Sequence, residues 1–138
     1  MSDSKAPVLI QLVIFFFGLA SLWDGFTTFH GTANILANNN NVEPNIIIII
    51  SSVFAIIILG FMWSTVYIWE MDGFSRLLFI VFWFVAVGYD LYTSYIGNLE
   101  FIMRGQVNDQ QFIVLVGITL LISGSPIFVS LLSDQISD

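Results

Sequence analysis

Residues 46–69 read IIIIISSVFAIIILGFMWSTVYIW, a run without a single charged side chain that opens on five consecutive isoleucines. A helix rising 1.5 Å per residue needs about 20 mostly apolar residues to cross a ~30 Å hydrocarbon layer, and this run exceeds that. A barrel strand would instead alternate in polarity over about 10 residues. Neither Ile46 to Ile50 nor Phe15 to Phe17 alternates.

Working outward, three more stretches of the same kind occur, at residues 8–29, 77–97 and 112–132. Short polar breaks separate them: Asn38 to Pro44, then Glu70 to Arg76, then Asn98 to Gln111. Short connections place consecutive helices antiparallel. The expected fold is therefore all-α, a single transmembrane domain over residues 1–138 forming an integral-membrane four-helix up-down bundle. Composition agrees: 57% of residues are hydrophobic, 9% are charged, and mean hydropathy is +0.91. Soluble domains average roughly 45–50% apolar and about 25% charged residues. A net charge of -7 with only three Lys and Arg excludes nucleic acid and anionic headgroups as favoured partners. The absence of cysteine excludes disulfides and thiol chemistry.

The first apolar run is too long for a signal peptide and lacks a small-x-small cleavage pattern, so it is expected to be retained. Lys5 and Arg76 fall on one side of the four spans and Arg104 on the other. The positive-inside tendency then puts both termini in the cytoplasm.

Laying the chain on itself with a shift of 66 aligns residues 7–72 with 73–138 without a gap, span one over span three and span two over span four. Eleven of the 66 positions are identical. The matches concentrate where Trp23-Asp24-Gly25-Phe26-Thr27-Thr28-Phe29-His30-Gly31 lies over Tyr89-Asp90-Leu91-Tyr92-Thr93-Ser94-Tyr95-Ile96-Gly97. Both read aromatic-Asp-x-aromatic-Thr-(Thr/Ser)-aromatic-x-Gly. Each copy contains two spans, so the copies are expected to share one orientation, as tandem helical hairpins related by an axis along the membrane normal.

At 100° per residue, Ala20, Asp24, Thr27, Thr28 and Gly31 share one face of the first span. Ala86, Asp90, Thr93, Ser94 and Gly97 share the matching face of the third. An aspartate in hydrocarbon costs about 2.5–3.5 kcal/mol, so these faces are expected to avoid lipid. Two readings follow. Asp24, Thr27, Thr28, Asp90, Thr93 and Ser94 line a path for protons or for monovalent or divalent cations, since carboxylates and hydroxyls are hard oxygen ligands. Alternatively they are hydrogen-bonded contacts between helices. Gly31 and Gly97 are expected at close helix contacts.

Glu43 and Asp109 each precede an apolar helix, where a carboxylate caps free N–H groups and complements the helix dipole; the alternative is an acidic outer vestibule. Pro126, in Ser123-Gly124-Ser125-Pro126, is expected to loosen or kink the fourth span, with freed carbonyls met by serine hydroxyls or neighbours, as a packing adaptation or, alternatively, a gate hinge. His30 has no counterpart in the second copy and lies about 240° around the wheel from Asp24, which argues against a proton relay between them. One histidine cannot ligate haem on both sides, and no cofactor is expected. No nucleophile motif, phosphate loop or His/Cys metal set occurs, so no enzyme activity is expected and no metal is specified. The functional expectation is a channel-like homo-oligomer in the lipid bilayer with a cation path along the Asp/Thr faces. The alternative is a non-catalytic accessory subunit of a larger membrane complex.

Overall fold

A computed structural model describes residues 5–38 and 41–137. Five helices follow in order: α1 (Lys5–Ala37), α2 (Pro44–Trp63), α3 (Thr65–Glu70), α4 (Gly73–Phe101) and α5 (Asp109–Ser137). No strand occurs among the described residues. Four stretches, Val8–Ala37, Pro44–Trp63, Gly73–Phe101 and Asp109–Gln135, are long and apolar enough to cross a membrane. Three of them outrun the lengths expected from apolarity alone. Hydrophobicity ends where polar side chains begin, but backbone hydrogen bonding does not, so α1 and α4 carry Asn34 and Glu100 on their added turns.

The second span differs from the continuous helix expected over 46–69. It breaks at Ser64, leaving α2 and the six-residue α3. The cause is visible in the hydrogen bonds. The Thr65 hydroxyl donates to the Met62 carbonyl at 2.5 Å, while the Val66 N–H turns to the Ser130 hydroxyl of α5 at 3.2 Å. The Trp83 indole of α4 donates to Thr65 at 3.0 Å. Serine and threonine hydroxyls thus take over from the i to i−4 ladder where it lapses.

At Pro126 the opposite holds: α5 runs through the proline. The ring removes the N–H that would reach the Ile122 carbonyl, and the Ser125 hydroxyl donates to that same carbonyl at 2.6 Å. Pro126 is fully buried.

The helix starts refine the capping expectation. Glu43 does precede α2, with Pro44 in the first turn, but its exposed side chain makes no capping bond. Asp109 lies in the first turn of α5 and the cap itself is Asn108. The Gln111 N–H donates to Asn108 Oδ1 at 2.8 Å, and the Asn108 N–H donates to Gln111 Oε1 at 3.0 Å. This reciprocal pair is a capping box, and it leaves the Asp109 carboxylate only its favourable position near the helix dipole.

α1 packs against α2, α4 and α5, and α4 packs also against α5. The interior inverts that of a water-soluble protein. Ala55, Ile58, Met62, Ile68, Ala86 and Leu115 are the buried apolar residues, whereas the buried polar set is larger and includes both aspartates, Asn98 and a series of serines and threonines. Large apolar side chains face outward, among them Phe16 at 65%, Ile56 at 72% and Phe74 at 82% exposure. Such an arrangement satisfies polar groups inside and presents hydrocarbon outside.

Candidate functional site

The polar face of α1 meets the polar face of α4 across a very close crossing. A Cβ at Gly31 would run into the backbone of Thr93, including its carbonyl oxygen. A Cβ at Gly97 would lie 2.7 Å from the Thr27 carbonyl oxygen and 2.9 Å from its Cα. The two glycines therefore let the backbones touch, as small residues do where helices cross in membranes. Gly18, Gly88 and Gly117 have open space instead.

Beside this crossing all six acid and hydroxyl residues of the two faces come together. Asp24 and Asp90 are each 1% exposed, and Thr27, Thr28, Thr93 and Ser94 are fully buried. Thr28 donates to Asp90 Oδ1 at 2.5 Å. Ser94 donates to Asp24 Oδ1 at 2.9 Å. The Thr27 hydroxyl lies 3.0 Å from Ser94 Oγ, and that of Thr28 lies 3.2 Å from it. Thr27 also reaches the Asp24 carbonyl, as Thr93 reaches that of Asp90. The two carboxyl groups are thereby linked through one pair of touching hydroxyls, those of Thr28 and Ser94. Around them, Asp90 Oδ2 is buried and has no hydroxyl or amide partner.

These contacts occur in pairs whose members differ by 66 positions. Thr28 to Asp90 matches Ser94 to Asp24. Gly31 on Thr93 matches Gly97 on Thr27. The Trp23 indole donates to Asn98 Oδ1 at 3.0 Å, and in the equivalent place the Tyr89 hydroxyl lies 2.9 Å from that of Thr32.

The helices behind the crossing break this pairing. α5 contributes Ser123, whose hydroxyl donates to Asp24 Oδ1 at 3.2 Å, and Ser125, 3.2 Å from Ser21. The positions 66 residues earlier, Ile57 and Leu59 of α2, carry no hydroxyl. Asp24 thus accepts from two hydroxyls and Asp90 from one.

Several participants lie outside the faces drawn from sequence. Ser21, rather than the half-buried Ala20, extends the α1 face; it precedes Asp24 by three residues, a spacing that marks it. Asn98 belongs to α4 and not to the connection, is fully buried, and donates to Thr119 at 3.3 Å. Ser123 stood out only as part of a proline motif, and its direction toward Asp24 needs the packing of α5 on α1. Glu43 and Asp109 are exposed and take no part in these hydrogen bonds. His30 lies 2.9 Å from Glu100 Oε2, with the Asn34 amide donating to the same oxygen at 3.2 Å, so it sits apart from the carboxyl pair. Among the described residues, no group of three or more His, Cys, Asp or Glu is placed to hold a metal.

No known family, no curated protein and no solved structure matches this chain.

Proposed function

We propose that the chain is a small multi-pass membrane protein, both termini cytoplasmic, whose two tandem hairpins form a four-helix bundle around one cation-interacting centre. The centre comprises Asp24, Thr27, Thr28, Asp90, Thr93 and Ser94. The observation that carries this reading is the juxtaposition of two buried carboxyls with hydroxyls and no basic side chain among their hydrogen-bond partners. A buried pair of acids lacking Lys, Arg or His beside it favours a cation, metal or proton that lowers the buried charge. The duplication supports the same reading, because the pairing at an offset of 66 brings one acid and one hydroxyl from each copy to a shared point. Interhelical contact alone is served by Asn or Ser without the cost of an ionisable group.

The centre is enclosed within one chain, so an ion moving through it has to pass an occluded state rather than an open pore. A homo-oligomer would place several such centres around an axis. Purified protein in liposomes is expected to carry a proton or monovalent-cation flux that Asp24→Asn combined with Asp90→Asn abolishes. Flux no greater than that of empty liposomes would overturn the reading.

One observation favours an accessory role instead. An apolar groove of about 470 Å³ opens beside the Ser64 break, lined by Ile56, Ile57, Gly60, Phe61, Tyr67 and Phe79. A partner's transmembrane helix filling it would make the chain a subunit of a larger complex. Extraction in mild detergent, followed by mass measurement of the intact particle, separates a homo-oligomer from such a complex.

A further inference from the structure

We infer that the ligand of this centre is a single proton, held between the side chains of Asp90 and Asp24, and not a metal ion. The inference rests on the cation-interacting reading of the cluster and narrows it to one occupant.

Three observations carry it. The first is the orphan: Asp90 Oδ2 is buried without any partner, on a side chain linked to Asp24 through the touching hydroxyls of Thr28 and Ser94. Two bare carboxylate oxygens repel, whereas one O–H between them makes a hydrogen bond and gives the orphan atom a partner.

The second is the distribution of hydroxyls. Asp24 Oδ1 accepts from Ser94 and Ser123, and Asp90 Oδ1 accepts from Thr28. Hydroxyl donors stabilise the carboxylate form. With hydroxyls on Oδ1 of each acid, the pair keeps one negative charge, and the proton is shared between the two carboxyls through the oxygens the hydroxyls leave over.

The third is spacing. The oxygens of the cluster touch directly, with five separations from 2.5 to 3.2 Å, three of them hydroxyl-to-carboxyl hydrogen bonds. A Ca²⁺ or Na⁺-like ion bound by several oxygens would have to replace these bonds by metal contacts. A proton needs no cavity and leaves each bond in place.

The surrounding elements offer no competing charge. α2 carries no titratable side chain between Pro44 and Trp63, and α5 carries none between residues 110 and 133. Tyr67 and Glu70 of α3 are exposed, the Tyr89 hydroxyl of α4 is bonded to Thr32, and His30 of α1 faces Glu100. One negative charge therefore remains on the two carboxyls, held by hydroxyl donors alone.

Infrared difference spectroscopy of the full chain in lipid at neutral pH tests this. The wild type is expected to show the carbonyl band of a buried carboxylic acid. Asp90→Asn is expected to remove it. Asp24→Asn is expected to remove the band as well, because the new amide donates to Asp90 and no second carboxylate remains to share a proton. A wild-type spectrum without the band overturns the inference, and so does a band that survives Asp24→Asn. Titration with NaCl or CaCl2 at constant ionic strength is expected to leave the thermal unfolding midpoint of the wild type unchanged. A saturable rise would identify a metal site and overturn the inference, even where a variant fails to fold. Cation flux that depends on both aspartates in the absence of the band would leave the broader reading standing while removing this one.

Discussion

Thr28 and Ser94, 66 positions apart in the chain, meet oxygen to oxygen at 3.2 Å, and each donates to the aspartate on the other's helix. With both hydroxyl hydrogens turned to carboxylates, the 3.2 Å contact has no hydrogen of its own. The pair acts as a clasp in which each helix supplies one acid and one donor. Removing one donor leaves a buried carboxylate oxygen unsatisfied, which costs about 1–3 kcal/mol. Thr28→Val is therefore expected to destabilise more than Ser94→Ala, because Asp90 has no second hydroxyl whereas Asp24 keeps Ser123. Equilibrium unfolding in mixed detergent micelles measures both. The double variant should show non-additivity on the order of 0.5–3 kcal/mol, as residues of one network do. Strict additivity would show that the clasp is two separate bonds.

The crossing that holds this clasp depends on two missing side chains. Gly31→Ala and Gly97→Ala each place a Cβ against backbone that cannot rotate away. Overpacking of this kind costs about 1–3 kcal/mol, and against backbone the upper end applies. Gly88→Ala, in open space on α4, is expected to be neutral or to stabilise by up to about 1 kcal/mol through helix propensity. Opposite signs for Gly31 and Gly88 in one unfolding assay check the claim. A neutral Gly31→Ala would mean that α1 and α4 do not cross here.

How much of this was legible in the sequence follows from which contacts are local. The apolar length of residues 46–69 and the alignment of Asp24 with Asp90 are read directly, because span length and helical periodicity are properties of a segment. The gathering of Asp24, Thr27, Thr28, Asp90, Thr93 and Ser94 at one place follows from the cost of facing them to hydrocarbon. Ser123 was not legible as a ligand of Asp24, since its direction is set by how α5 leans on α1. Nor was the break at Ser64, since Ser64 and Thr65 can equally sit inside a continuous helix and the alternative hydrogen bond comes from Ser130, far along the chain. Asn98 looked like the start of a connection because it is polar, yet its amide is fixed between Trp23 and Thr119. In each case a tertiary partner, absent from any short window, decided the outcome.

The break at Ser64 has its own test. The Val66 N–H depends on the Ser130 hydroxyl, and a hydrogen bond of this type contributes about 1 kcal/mol net. Ser130→Ala is expected to accelerate hydrogen exchange at the Val66 amide by about fivefold, the factor that ~1 kcal/mol gives for local opening. Amides in the middle of α2 should be unaffected. Uniform acceleration along α2 would indicate global destabilisation rather than loss of a local stitch.

Asn98 and Thr32 occupy equivalent positions in the two copies but carry unequal shares of the packing. Asn98 is fully buried and joins three helices, accepting from Trp23 of α1 and donating to Thr119 of α5. Asn98→Leu leaves the indole N–H and the Thr119 hydroxyl without this partner, at a cost of about 1–3 kcal/mol. Thr32 instead bonds its own helix at the Thr28 carbonyl as well as Tyr89, a residue only half-buried. Thr32→Val keeps the shape and leaves Tyr89 free to bond water, so its expected cost is below about 1 kcal/mol. The indole proton resonance of Trp23 reports the difference site by site: it should shift upfield in Asn98→Leu and stay in place in Thr32→Val. An unmoved Trp23 resonance in Asn98→Leu would show that the bond across α1 and α4 is not formed in the membrane.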